Sequence, residues 1–168
     1  DTRKVNNTFL KQVLTSYKTA RRWKPAYQMF QNLVQHKVHP DRDNFRRFLV
    51  VVGDRGGQLK NAFAIFRYSG RIIKDISAYN VMLLALSRHQ FQMNDDVMED
   101  HLPTNSLKKA LELYDEIKQQ HNVIQPNMFT YLYLFKNCEV ELKRIKAAAA
   151  AAAQSSSSST SSTLIYTR

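Results

Sequence analysis

An alanine followed four residues later by an aromatic side chain recurs three times along this chain. The copies are Ala26 with Phe30, Ala62 with Phe66, and Ala110 with Tyr114. The first two alanines lie 36 residues apart and the next two 48, so a period in the mid-thirties predicts an insertion of about a dozen residues in the third unit. Such periods are typical of helix-pair repeats, in which a small side chain lets two helices approach and the aromatic ring fills the adjoining gap.

Each unit has the apolar spacing of two amphipathic helices. In the first unit Leu10, Leu14 and Tyr17 share one helical face, and after a break at 19–22 a second helix begins with Trp23. The second and third units repeat this order, and a fourth stops after one helix. Helix pairs of this kind bury their apolar faces by stacking on their neighbours.

Glycine, proline and cysteine are all scarce. Four Gly and four Pro are too few for an all-β protein, which needs frequent tight turns. The single cysteine, Cys138, excludes a disulfide within the chain and a thiolate-rich zinc site. It falls on the apolar face of the fourth-unit helix, so we expect it in the core. Residues 53–57, which contain three glycines, are expected to form the turn between the helices of the second unit.

The sequence therefore predicts an all-α protein, a right-handed α-solenoid of helix-turn-helix repeats with about three repeats plus one extra helix. Residues 1–146 form the array, with a loop insertion at 92–106. Residues 147–168 form a low-complexity tail of Ala and then Ser and Thr, whose alanines favour a continued helix. No apolar run approaches the roughly 20 residues of a membrane span, and we expect no membrane association.

Positive charge is concentrated in the N-terminal half. Residues 1–90 contain 17 Lys and Arg against five Asp and Glu, whereas residues 91–168 contain eight against nine. Such an asymmetry is typical of a surface that faces a polyanion, most often nucleic acid. A solvated basic surface without a partner is the alternative interpretation.

The third unit carries the most specific motif. Residues 77–86 read S-A-Y-N-V-M-L-L-A-L, residues 107–117 read L-K-K-A-L-E-L-Y-D-E-I, and the unit closes with Gln125-Pro126-Asn127. These segments resemble the pentatricopeptide repeat family, and the resemblance extends over residues 7 to about 142. The tetratricopeptide repeat, a protein-binding module, shares the Ala and aromatic pair but also has a Trp and a small residue in its first helix. Leu14, Leu49 and Leu83 stand at the latter position here.

The resemblance implies binding of single-stranded RNA, one base per repeat. In that family a base is read by the residue after the opening Tyr together with the last residue of the repeat. The candidate pairs are Asn80 with Asn127, Arg46 with Asp75, and Lys11 with Asp41. Long cations suit phosphate better than a base edge, and Leu132 of the fourth unit cannot form hydrogen bonds through its side chain.

Two further expectations concern these residues. Asp41, Asp75 and Asn127 each precede a helix, where a plain capping role is the alternative to base reading. Basic residues on or near the first helices are expected to line a concave groove and contact phosphates; the RNA-binding candidates among them are Lys18, Arg22, Arg46 and Arg47.

No catalytic constellation, metal site or cofactor motif is present in the sequence, and we interpret the chain as a non-enzyme without a small-molecule substrate. The acidic run at 95–100 is interpreted as a loop. The resemblance implies an organellar RNA-binding protein of the mitochondrial matrix, or alternatively of a plastid. We expect a constitutive component of a mitochondrial ribosome or RNA-processing complex, bound to single-stranded or ribosomal RNA. Neighbouring subunits are expected to pack on residues 128–146. The alternative function is a tetratricopeptide-like protein-interaction scaffold.

Overall fold

The computed structural model describes residues 6–68, 74–89, 106–120 and 123–158, and these residues form helices but no strand. The all-α prediction is thereby confirmed. Helix α3 continues directly into a π-helical segment, Val50–Arg55. The seven α-helices are α1 (Asn7–Thr19), α2 (Trp23–Gln35), α3 (Arg42–Leu49), α4 (Leu59–Tyr68), α5 (Ile76–Arg88), α6 (Ser106–Gln119) and α7 (Met128–Ser158).

The helices pack in a regular order. Helix α1 contacts α3, α3 contacts α5, and α5 contacts α7. Each even-numbered helix contacts the odd-numbered helix before it and the one after it. The buried apolar side chains lie between these helices in one cluster that extends from Leu10 on α1 to Ile124, just before α7.

The repeated alanines lie at the helix crossings. Ala26, Ala62 and Ala110 are all fully buried. Ala62 on α4 lies against Gly53 of the π-helical segment, where a Cβ at position 53 would be only 2.9 Å from the Ala62 Cβ. The aromatic side chain one turn later then packs edge-on against the next odd-numbered helix, as Phe66 does against Tyr79 with ring centroids 5.0 Å apart.

The segment expected to be a turn is helical for most of its length. The helix continues to Arg55, and the turn is confined to Gly56 and Gly57, of which Gly57 has φ +66°. Within the segment the carboxylate of buried Asp54 accepts a hydrogen bond from Arg88 Nη1 at 2.5 Å. The charge pair ties the π-helical segment to the end of α5.

The break between α1 and α2 is a regular helix end. The N–H of Arg22 donates to the Tyr17 carbonyl at 2.9 Å and the N–H of Arg21 to the Lys18 carbonyl at 3.3 Å. Arg21 adopts φ +52°, a left-handed conformation that glycine usually supplies at this position. Lys37 ends α2 in the same way with φ +54°. The chain therefore carries cations at two positions where a side chain costs about 1 kcal/mol.

Helix α7 continues through the seven alanines to Ser158, as the helix propensity of the run predicts. The expectation for Cys138 is wrong, because this side chain is exposed. The face of α7 that packs on the molecule is instead set by Thr130 and Asn137, which are fully buried, and by partly buried Leu134. Cys138 follows Asn137 directly, and successive side chains of an α-helix are rotated by about 100°. The Cys138 side chain is therefore turned away from that face.

Enlarging Ala62 should destabilise the fold. We expect Ala62→Leu to lower the free energy of unfolding by about 1–3 kcal/mol, because the side chain would enter the contact with Gly53. Ala64→Leu on the same helix is the control, since Ala64 is exposed and its replacement should change stability by less than about 0.5 kcal/mol. Urea unfolding measured by circular dichroism compares the two. Equal effects would contradict the packing described for Ala62.

Candidate nucleic-acid interface

The odd-numbered helices begin in one register. Each is capped by an Asn or Asp side chain that accepts the N–H three residues on; the caps are Asn6, Asp41, Asp75 and Asn127. The first three caps are 35 and 34 residues apart, which gives the repeat length directly. The capping interpretation of the three candidate readers is confirmed. Residues Lys11, Arg46, Asn80 and Leu132 all stand five positions after a cap and are therefore equivalent.

The third-unit pair is in direct contact. Asn80 Nδ2 donates to Asn127 Oδ1 at 3.0 Å. Thr130 joins them, because its hydroxyl donates to Asn80 Oδ1 at 2.8 Å and its backbone N–H donates to Asn127 Oδ1 at 3.2 Å. The backbone donor fixes which end of the Asn127 amide is oxygen, and this in turn fixes the Asn80 amide. The network links α5 to the start of α7.

The network limits what this pair can present to a ligand. Asn80 is 8% exposed, and both ends of its amide are engaged within the protein. Asn127 is exposed, and in the described part of the chain its Nδ2 makes no hydrogen bond. One outward amide donor is therefore the polar group that the pair offers to a base edge.

The other two pairs are not joined in the same way. Arg46 Nη2 donates to Asp43 Oδ1 at 2.9 Å on its own helix, while Asp75 accepts the N–H of Ala78 at 2.9 Å. Lys11 is exposed, and Asp41 accepts the N–H of Asn44 at 2.8 Å. Among the described residues neither cation bonds to the Asp of its unit.

Basic side chains converge between α1 and α3. Lys18, Arg46 and Arg47 line one cavity of about 140 Å³ together with Thr15, and its apolar floor includes Leu14. Arg47 Nε is buried and has no hydrogen-bond partner among the described residues. The exposed ion pair of Arg46 with Asp43 contributes little, so Arg46 can exchange it for an anion. The cavity therefore combines three cations with an unused buried donor.

The basic surface continues along α1. Thr15 also borders a shallow, open depression on the outer face of α1 that includes Lys11. Arg22 is exposed in the turn before α2 and is not among the residues that line the cavity. Of the nine candidate RNA-binding residues, the structure brings Lys18, Arg46 and Arg47 to one site and Asn80 and Asn127 to another.

A second polar cluster lies between α4, α5 and α6. Burial is the main cause that raises the pKa of Tyr79 to about 12, and the nearby Glu116 carboxylate adds to it. Burial likewise lowers the pKa of Lys74, whose ammonium lies 4.2 Å from the centroid of the Phe66 ring. A pocket of about 40 Å³ in this cluster is lined by Lys74 and Lys109 together with acidic residues. The cluster joins three helices, and its pocket is lined by three cations, Arg67, Lys74 and Lys109, against two carboxylates, Glu112 and Glu116.

Two polar residues of the interface were not anticipated from the sequence. Thr130 completes the Asn80 network, and buried Asn44 reaches from α3 to α1, where its Nδ2 donates to the Asn7 carbonyl at 3.1 Å. Both stand three residues after a cap, on the face that meets the preceding odd-numbered helix. The signal available in the sequence was the polar residue three positions after each of these two caps.

A scan against protein-family models matches none of them, and no curated protein matches the sequence. Within the described ranges, no group of three or more His, Cys, Asp or Glu side chains could hold a metal ion. None of the described helices is both long and apolar enough to cross a membrane. The acidic run at 95–100 and the rest of the insertion up to residue 105 lie outside the described residues.

Removing the Thr130 hydroxyl should weaken the junction between α5 and α7. We expect Thr130→Val to lower the free energy of unfolding by about 1–3 kcal/mol, because buried Asn80 Oδ1 loses its donor. Thr15→Val is the control, since the Thr15 hydroxyl bonds only to the carbonyl of its own helix at an exposed position. Chemical unfolding of both variants tests this. A stability of Thr130→Val within 0.5 kcal/mol of wild type would mean that the network does not hold the junction.

Proposed function

We propose that this protein binds single-stranded RNA, chiefly through its phosphates, on the basic surface between α1 and α3. The observation that carries the proposal is the convergence of Lys18, Arg46 and Arg47 on one cavity, with the buried Arg47 Nε unpaired among the described residues. Guanidinium groups are well suited to phosphate because they present several N–H donors in a fixed plane. The flexible backbone of a single strand can follow the surface along α1 towards Lys11.

The architecture we propose is a right-handed α-solenoid of the pentatricopeptide type. Two observations support it: the Asx caps recur at 35 and 34 residues, and each odd-numbered helix packs on the next. In such an array the first helices form one row, and a ligand lying along that row meets equivalent positions of successive units. Lys11, Arg46 and Asn80 are such positions.

Backbone contact should dominate over base reading in this protein. Two of the equivalent positions carry Lys11 and Arg46, whose charges favour phosphate, and a third carries Leu132. Asn80 is engaged with Asn127 and Thr130, which leaves the Asn127 amide to contact a base. Sequence discrimination is therefore limited to one base at most.

Weak base discrimination suits an RNA that is held at a fixed place in an assembly. We propose that the protein is a non-catalytic component of an organellar ribonucleoprotein, in the mitochondrial matrix or in a plastid, with ribosomal RNA as its ligand. Neighbouring subunits would contact residues 128–146, where apolar side chains of α7 are exposed.

Charge reversal in the cavity tests the proposal. The double variant Arg46→Glu/Arg47→Glu should bind a single-stranded RNA about tenfold more weakly or worse, because two phosphate contacts are replaced by repulsion. Lys60→Glu/Arg67→Glu is the matched control, since it changes the net charge equally at exposed positions of α4. Fluorescence anisotropy at low salt, with circular dichroism to confirm folding, measures both affinities.

Three results bear on the proposal. Similar affinities of the wild type for oligonucleotides of different sequence would support backbone contact. Equal losses in the two double variants would contradict the location between α1 and α3. Failure of the folded wild type to bind RNA at low salt would contradict RNA binding itself and would favour the protein-interaction scaffold.

A further inference from the structure

Helix α7 carries an exposed apolar stripe with coiled-coil spacing, which we call the α7 seam. Its members follow one another at intervals of three, four, three, four and three residues, and they are Met128, Tyr131, Phe135, Cys138, Leu142 and Ile145. The five large side chains among them are 46–73% exposed, and Cys138 is exposed as well. Intervals that alternate between three and four residues keep a stripe facing a parallel or antiparallel partner helix.

Equivalent positions on the preceding helices are covered. Tyr131, Phe135 and Cys138 stand four, eight and eleven residues after the cap of α7. The same positions are Tyr79, Leu83 and Leu86 on α5, and Phe45, Leu49 and Val52 along α3 and its π-helical extension, all of them buried. On α5 this row packs against the even-numbered helices, because the Tyr79 ring lies against Phe66 of α4 and its hydroxyl donates to Glu116 of α6. Positions equivalent to the α7 seam are therefore covered by another helix on both α3 and α5.

The length of the seam indicates what kind of helix covers it. From Met128 to Ile145 it spans 18 residues, or about 27 Å of helix. A second helix with the 13 residues of α2 or the 14 of α6 would leave Leu142 and Ile145 uncovered. Helix α7 itself has 31 residues and carries a matching stripe along its whole contact length.

We propose that the α7 seam is a dimer interface, in which two copies of this chain pack their α7 helices antiparallel about a twofold axis. Antiparallel pairing about the seam's midpoint sets Phe135 opposite Cys138 of the second copy. Tyr131 then faces Leu142 of that copy. Large side chains meet smaller ones, which fills the space between the helices, whereas parallel pairing would oppose Phe135 to itself.

The opposite end of the molecule argues for a closed dimer over an open chain of copies. Head-to-tail association would place the α7 seam on the outer face of α1. A depression on that face is lined by the polar residues Thr8, Lys11, Gln12, Thr15, Ser16 and Thr19, and the exposed apolar side chain beside it is Phe9. The surface that complements the α7 seam is therefore the α7 seam of a second copy, and their contact is isologous. It contains no charged residue, and the positive excess lies in residues 1–90. This inference does not depend on RNA binding.

Sedimentation equilibrium of the full chain without RNA tests the proposal. We expect the mass of two copies at micromolar concentration, and a dissociation constant raised about 30-fold or more in Phe135→Glu, the effect of losing a central aromatic contact. Phe135 is 73% exposed, so the variant should keep the helicity and melting temperature of a folded monomer. Phe129→Glu is the control, because Phe129 is 50% exposed on the same helix but lies off the seam.

Oxidative cross-linking tests the orientation. In the antiparallel arrangement Phe135→Cys places a new thiol opposite Cys138 of the second copy, and covalent dimers should form under mild oxidation. The wild type should cross-link poorly, since in this arrangement each Cys138 lies opposite Phe135 of the second copy and not opposite the other Cys138. A monomeric wild type, or a dimer that Phe129→Glu weakens as much as Phe135→Glu, would overturn the interface. Efficient cross-linking of the wild type through Cys138 would overturn the antiparallel order.

Discussion

The close approach of three helices at Gly53, Ala62 and Ala85 is the constraint on which the rest of the structure depends. A Cβ at position 53 would lie only 2.9 Å from the Ala62 Cβ, so α4 could not keep its place if this glycine carried a side chain, and it would lie in van der Waals contact with Ala85 of α5 at 3.6 Å. This packing holds the helix of α3 and its π-helical extension between α1 and α5. Because α3 is fixed there, Arg46 and Arg47 face Lys18 across the cavity.

Capping and ligand recognition compete for the same side chains in this fold. An Asn or Asp before each odd-numbered helix satisfies backbone N–H groups that would otherwise be unpaired. In the third unit Thr130 also engages Asn80, so hydrogen-bonding groups that could face a base instead join α5 to α7. Among the described residues, the basic side chains between α1 and α3 make one contact of this kind, the exposed ion pair of Arg46 with Asp43. The proposed function therefore rests on charge more than on hydrogen-bond reading.

Local patterns predicted more of this structure than of its site. The buried alanines and the break before Trp23 follow from periodicity, which depends on neighbours along one helix. The shared register of Lys11, Arg46 and Asn80 was implied by the resemblance to the pentatricopeptide family. The glycines at 53–57 predicted a turn, whereas the helix continues to Arg55. Periodicity also carries no information about the contact of Asp54 with Arg88, 34 residues away. The exposure of Cys138 was missed for a related reason: α7 has two apolar faces, and periodicity does not show which of them meets the core.

The salt dependence of RNA binding tests the central claim most directly. Each phosphate neutralised on a single strand contributes about 0.7 to the slope of log K against log salt concentration, so three cations in the cavity predict a magnitude of about 2. The account predicts that slope for the wild type across oligonucleotides of different sequence, with a smaller one for Arg46→Glu/Arg47→Glu. A slope near zero, or one that the double variant leaves unchanged, would contradict it.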